Sequence, residues 1–157
     1  MQKRILTFVL TLACLTLASA ALAETFTGGS VTVEVPAGWT TMYNAPTMQA
    51  LVASPSQECV SSIQLMPTDG KSAEQLAQML SQQLGGSAPE KTANGAYFFT
   101  ADSGGVPMEI NVAAEGNKAL VFMEIGDKGS YKDELETIRM SMKSNDSVEQ
   151  GLLDTMK

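Results

Sequence analysis

The stretch NGAYFFTADSGGVPMEINVAAEGNKALVFMEI, residues 94–125, holds three strand-sized runs separated by short turns. The runs cover residues 96–101, 106–113 and 118–125, and the turns between them read DSGG and GN. Connections this short allow only hairpins, so neighbouring runs are predicted to pair antiparallel. Asn94-Gly95, just before the first run, is itself a favoured two-residue hairpin turn.

The apolar residues of these runs indicate how many faces of each strand are covered. In residues 106–113, apolar and polar side chains alternate, which predicts a strand with one solvated face. In residues 96–101 and 118–125, apolar side chains occupy both parities, and such strands need cover on both faces. An antiparallel sheet with other elements packed against it is therefore expected.

The N-terminal half adds shorter strand-like segments to this sheet. Val31, Val33 and Val35 alternate with polar residues, and the turn PAG at residues 36–38 then leads into Trp39. Further extended segments are predicted at residues 40–43, 48–54 and 60–66. The whole pattern predicts a sheet of about six strands.

Two segments change to the helical period and are predicted to flank the sheet. Ser72 and Gln75 have the spacing of a capping box, apolar residues follow at intervals of three and four, and two glycines at 85–86 end the run. The second helix is predicted over residues 131–142, where apolar residues recur at i, i+4, i+7 and i+11.

The organisation that follows is one α+β domain, residues 24–143, with an antiparallel sheet and two main helices. Residues 144–157 are mostly polar, with Leu152, Leu153 and Met156 as their only bulky apolar side chains. We expect this tail to be loose or to form a short helix.

The first 23 residues have the three zones of an export signal. Lys3 and Arg4 precede an apolar stretch, and Ala21-Leu22-Ala23 has the small-x-small form that a signal peptidase accepts. Cleavage is expected between Ala23 and Glu24, which predicts a periplasmic or secreted protein with no stable membrane insertion after cleavage. It removes two positive charges, so the formal net charge changes from −7 to −9.

The composition disfavours catalysis and metal binding. The sequence contains no histidine, which removes the commonest general base and the commonest zinc ligand. Its glycine pairs match neither a P-loop nor a dinucleotide-binding fingerprint. We therefore expect a protein that is not an enzyme, with no catalytic, metal-ligating or cofactor-binding residue and no cofactor.

Sulfur-containing side chains leave one alternative open. Nine methionines remain after cleavage, and thioethers suit Cu(I). Met108, Met123 and Met142 follow apolar patterns typical of core filling, which is the competing interpretation of the methionine content. The one cysteine of the predicted exported chain, Cys59, is expected to be a buried thiol, with a reactive thiol or an intermolecular disulfide as the alternatives.

The charge of the domain restricts its partners. A net charge of −9 repels nucleic acid and anionic lipid, so neither is an expected partner. The charge permits a basic protein or a cationic ligand as a partner. Trp39 and Tyr43, beside the PAG turn, are the candidate interaction face, and the competing interpretation is that Trp39 anchors the edge of the core.

The order of elements resembles the PsbP-like fold, an antiparallel sheet flanked by helices. The likeness is carried by a strand followed by Pro-x-Gly-Trp at residues 31–39, the first helix at 72–85, the turn and strand at 94–100, and the second helix at 131–142. Members of that fold family include a photosystem extrinsic subunit, a Ran-binding import factor and small exported bacterial proteins of uncertain function.

What this resemblance implies is a non-catalytic accessory or protein-binding domain of the bacterial envelope. The alternative is a periplasmic carrier of a small ligand or a soft metal such as copper. Fold does not fix function, so both remain hypotheses at this point.

Overall fold

The computed structural model of the protein describes residues 23–157, which form ten β-strands and three α-helices. The predicted export signal, apart from Ala23, lies outside these residues. The strands are β1 (Glu24–Gly28), β2 (Val31–Val35), β3 (Thr40–Asn44), β4 (Gln49–Ala53), β5 (Cys59–Pro67), β6 (Glu90–Lys91), β7 (Tyr97–Ser103), β8 (Val106–Glu115), β9 (Lys118–Gly126) and β10 (Lys143–Ser144). The helices are α1 (Ala73–Leu84), α2 (Lys132–Ser141) and α3 (Ser147–Asp154).

Seven of these strands form one antiparallel sheet in the order β3-β4-β5-β9-β8-β7-β6. The α+β class and the antiparallel sheet are confirmed. The expected single sheet of about six strands is found as a sheet of seven strands accompanied by a second, smaller sheet. Strands β1, β2 and β10 form a second sheet of three strands. The strand at residues 31–35 was expected in the main sheet, whereas it pairs with β1 and packs its buried valines against that sheet.

The longest ladder is that between β5 and β9, with nine residue pairs from Cys59–Gly126 to Pro67–Lys118. Gly126 has a φ of 98°, and a Cβ atom there would overlap the carbonyl oxygen of Glu58. Glycine is therefore required where the two strands come together.

The two faces of the main sheet carry two separate cores. On one face, Ile63, Leu120 and Phe122 pack against the second sheet and helices α2 and α3 and form the main core. On the other face, Phe99 and Ile110 pack against helix α1. Both parities of β9 are buried by this arrangement, as its continuous apolar sequence predicts.

Helix α1 begins and ends where the sequence predicts. The Ser72 hydroxyl accepts a hydrogen bond from the Gln75 amide at 3.2 Å, and the Gln75 side chain accepts one from the Ser72 amide at 3.0 Å. Gly85 follows in the left-handed region with a φ of 65°. Leu76 and Ala77 are its most deeply buried apolar residues.

The C-terminal segment, for which both a loose tail and a short helix were open, forms helix α3 and docks on the main core. Leu152, Leu153 and Met156 are all buried in that core. At the other side of the helix, the Lys118 ammonium on β9 lies 2.8 Å from Asp146 and 2.8 Å from Glu149. Three apolar side chains close in sequence are thus enough to form the buried face of α3, although the segment is mostly polar.

The ion pairs of α3 predict an acid-sensitive stability. The hydrogen bond from Lys118 lowers the pKa of Asp146 below its usual value. Burial acts to raise the pKa of Glu149, but hydrogen bonds from Lys118, Ser30 and Ser144 outweigh it, so this pKa is also lowered. A lowered pKa in the folded state means that ionisation stabilises the fold above the unfolded-state pKa, and that this contribution is lost as the pH falls through the folded-state pKa.

We therefore expect the melting temperature to fall as the pH decreases below about 5. The double variant Asp146→Asn, Glu149→Gln should melt below the wild type at pH 7, and the difference in melting temperature should shrink as the pH falls through the lowered folded-state pKa values of the two carboxyl groups. Calorimetry across this pH range measures both effects. A constant difference between the two proteins at every pH would show that these carboxylates do not titrate with folding.

Candidate functional site

Strand β3 forms one edge of the main sheet. It pairs only with β4 in the described part of the chain, through five residue pairs from Thr40–Ala53 to Asn44–Gln49. All five residues of β3 are exposed. An edge strand offers one row of backbone N–H and C=O groups to another chain, and exposed edges are usually blocked by lysine, proline or a bulge. Strand β3 has none of those residues.

The surroundings of this edge are almost free of charge. Residues 35–68 include β3, β4 and β5 and contain one charged residue, Glu58. The other 100 residues of 24–157 contain 24 charged residues. The part of the main sheet that ends in β3 is therefore uncharged, although the domain as a whole is strongly acidic.

The sheet beside β3 also leaves apolar side chains partly uncovered. Helix α1 packs on β7 and β8, so it does not reach the far side of the same face. There, Met42 lies opposite Leu51 in the β3–β4 ladder and its side chain is 57% exposed. We call this area the open face; its members are Met42, Leu51, Ala53 and Val60.

The structure gives the two residues of the expected interaction face different surroundings. Trp39 is only 9% exposed and packs edge-on against Tyr131, with ring centroids 5.5 Å apart. Tyr43 is exposed on β3, and its ring lies over the turn between β1 and β2. A Cβ atom on Gly29 in that turn would come within 2.5 Å of the Tyr43 hydroxyl oxygen.

A cluster of charged side chains lies on β8, on β9 and in the turn that follows β9. Glu109 and Glu124 are directly opposite each other on β8 and β9, and the Lys128 ammonium donates hydrogen bonds to both. Burial acts to lower the pKa of Lys128, but the two carboxylates outweigh it and raise this pKa above its usual value. The amine therefore stays protonated at neutral pH and cannot act as a base or a nucleophile.

The neighbourhood of this cluster holds two polar atoms without a hydrogen-bond partner in the described residues, the Ser61 hydroxyl and the Nε of Arg139. Ser61 lies opposite Glu124 in the β5–β9 ladder, on the strand side away from Glu109. The hydrogen bonds from Lys128 connect the turn after β9 to β8. We therefore assign the charged cluster a structural role.

The sulfur side chains occupy mainly structural positions. Met108, Met142 and Met156 are buried in the two cores, and Cys59 is buried in the main core. Among residues 23–157, no group of three or more histidine, cysteine, aspartate or glutamate side chains is placed to hold a metal ion. Within the same residues, none of the helices combines the length and hydrophobicity of a membrane span.

The sequence predicts Tyr43 as part of an interaction face but does not show that the strand that carries it is an edge strand. Nothing local shows that residues 40–44 form an outer strand, because that depends on which strands pair. The charge-poor segment at residues 35–68, in contrast, is visible in the sequence and marks the same surface.

Comparisons with known proteins bear on the fold. No family model and no curated protein matches the sequence. Solved structures do match, among them a protein from Bacteroides thetaiotaomicron VPI-5482, with a TM-score of 0.49 and 14% identity over 80% of this chain. This chain spans about half of that protein, 49% of its length.

Two further solved structures match over most of their own length. Cyanobacterial PsbP (CyanoP) from Synechocystis sp. PCC 6803 has a TM-score of 0.47 and 10% identity, covering 81% of this chain and 95% of CyanoP. LpqN, described as involved in cell envelope biogenesis of Mycobacterium tuberculosis, has a TM-score of 0.46 and 11% identity, covering 80% of this chain and 86% of LpqN. A PsbP protein, CyanoP, is thus among the solved structures that this chain matches.

The structural role of Lys128 is tested by its removal. In Lys128→Met, two adjacent carboxylates lose their shared cation, and the Glu124 side chain is only 7% exposed. We expect a loss of about 2–3 kcal/mol in the free energy of unfolding. Denaturant unfolding measures it, and adding Glu124→Gln should recover at least half of the loss. If the double variant is no more stable than Lys128→Met, the carboxylates are not coupled through the lysine.

Proposed function

We propose that the protein is an exported, non-catalytic accessory domain of the bacterial envelope that binds another envelope protein along the edge strand β3. The observation that carries this proposal is the free edge of β3 in an uncharged surface. Its occupant is an extended, uncharged segment of the partner, which adds to the main sheet beyond β3. Tyr43 and Met42 then contact the partner from the two faces of the strand.

The mode of binding follows from the groups that β3 offers. Main-chain hydrogen bonds of an added strand supply affinity, and side-chain contacts on alternate residues supply specificity. On one face, Met42 continues into the open face, where an adaptable thioether side chain can pack against the partner. On the other face, Tyr43 supplies an aromatic surface with a polar end.

The charge of the surface supports an uncharged segment as the occupant. Neither β3 nor its neighbours β4 and β5 contain a charged residue. A charged partner strand would lose water at this surface without gaining an opposite charge, and such unpaired charges discriminate against a partner. An apolar or neutral polar strand meets no such cost.

The non-catalytic part of the proposal is supported by the residues present. The sequence has no histidine, and the most buried ion cluster holds its lysine protonated. Exported location is supported by the three zones of residues 1–23.

The test is site-specific photocrosslinking in the cells that produce the protein. With p-benzoylphenylalanine in place of Met42, we expect a discrete adduct with one exported protein. The same amino acid in place of Met140, which is 50% exposed on α2, is the matched control and should give no such adduct.

The identified partner is then purified and titrated with variants of this protein. Lysine on the outer edge of a sheet blocks strand addition, so Thr41→Lys and Met42→Lys should each weaken binding at least tenfold. Met140→Lys should bind as the wild type does. Equal crosslinking from both positions, or unchanged binding by the β3 variants, would refute the edge strand as the binding site.

The carrier alternative has one observation in its favour, a partly apolar cavity at the end of β5. It concerns a small molecule rather than a soft metal.

A further inference from the structure

A cavity of about 350 Å³ opens where strand β5 continues beyond its neighbour β4. The β4 ladder ends at Gln49, opposite Gln64, so the last three residues of β5 have no partner on β4. Met48 lies beside them in the left-handed region with a φ of 49°, and its carbonyl oxygen accepts a hydrogen bond from the Leu65 amide. The chain turns away at this point, and space remains between the turn and the end of β5.

The lining of this cavity is mainly apolar and includes two charged side chains. Met48, Leu65, Met66 and Pro67 provide the apolar walls. The polar lining residues are Asn117, Lys118 and Glu149, and we call this part of the cavity the polar end. Its volume falls within the usual range of small-molecule sites, about 300–1,000 Å³, which typically combine apolar walls with a few polar groups. Methionine side chains adapt easily to ligands of different shape.

The polar end limits the charge of a ligand. One ammonium, Lys118, faces two carboxylates, Asp146 and Glu149, so the group carries one net negative charge. An anion would be repelled by this group and by the acidic domain around it. A cation would have to compete with Lys118, which already binds both carboxylates at 2.8 Å. An uncharged ligand avoids both costs.

The same lysine can still bind a ligand through a hydrogen bond. A lysine ammonium has three N–H donors. In the described residues, two of them are directed to Asp146 and Glu149. The third is available to an acceptor such as a carbonyl oxygen at the polar end of the cavity.

We propose that this cavity binds an uncharged small molecule with an apolar body and a carbonyl-type acceptor, with the body between Met48 and Leu65 and the acceptor on Lys118. The site is distinct from the edge of β3, and it does not depend on a protein partner.

The probe for this site is prodan, an uncharged naphthalene ketone whose fluorescence reports the polarity of its surroundings. We expect saturable binding to the purified protein with one site per chain. The naphthalene dye 8-anilino-1-naphthalenesulfonate, which is anionic, should bind at least tenfold more weakly. A prodan analogue with the ketone reduced to a methylene group should lose about two- to tenfold in affinity, the range expected for one hydrogen bond.

Two matched variants locate the site. Met48→Asp places a charge on the apolar wall, and aspartate is among the residues that tolerate the left-handed backbone there. It should weaken prodan binding at least tenfold with little change in melting temperature. Met140→Asp alters a similarly exposed methionine on α2 and should bind as the wild type does.

Each result decides a part of the proposal. No saturable prodan binding, or equal loss in both aspartate variants, would overturn the site itself. Equal binding of the anionic dye would overturn the selection for an uncharged ligand, and equal binding of the ketone-free analogue would overturn the role of Lys118. The Thr41→Lys variant of β3 should bind prodan normally, which separates this result from that for the protein partner.

Discussion

The pairing of β5 with β9 is the constraint on which the rest of the structure depends. It joins segments more than fifty residues apart and aligns nine residue pairs. Its register places Ile63 opposite Phe122 on the face of the main core and Ser62 opposite Met123 on the other face. Because side chains alternate along a strand, a shift of one residue would move every one of them to the opposite face.

This ladder also separates two chemically different parts of the sheet. Strands β4 and β3 extend from β5 and carry no charge, whereas β8, β7 and β6 extend from β9 and each carry at least one charged residue. The salt bridges of Lys128 with Glu109 and Glu124 lie in the charged part. The free edge belongs to the uncharged part, where water is displaced at the lowest cost.

Local signals predicted the elements that are determined locally. Examples are the capping box at Ser72 and Gln75 and the short turns between β7, β8 and β9. Each depends on only a few neighbouring residues, and the structure contains all of them. The separation of β2 into a second sheet could not be predicted in this way, because β10, which pairs with it, lies more than a hundred residues away. The ion pairs at the start of α3 likewise involve a residue distant in sequence, Lys118 of β9.

The two proposed binding surfaces also combine local signals with long-range ones. Tyr43 was recognisable as an aromatic residue beside a turn, but its place on an edge strand follows only from the order of strands in the sheet. The cavity beside Met48 depends on the unequal lengths of β4 and β5 and on the left-handed backbone conformation of Met48. Glycine usually signals such a conformation in a sequence, and here there is none. The low charge of residues 35–68 is the one signal of the proposed binding surface that can be seen in the sequence alone.

Residue-resolved hydrogen exchange of the purified protein tests the central claim most directly. If β5 and β9 form the centre of the sheet and β3 is a free edge, amides in the β5–β9 ladder should exchange only through global unfolding. The amides of β3 that do not donate to β4 should exchange at rates close to those of an unstructured peptide. Protection of every β3 amide to the level of β5 would contradict the account, because the edge would then already be paired.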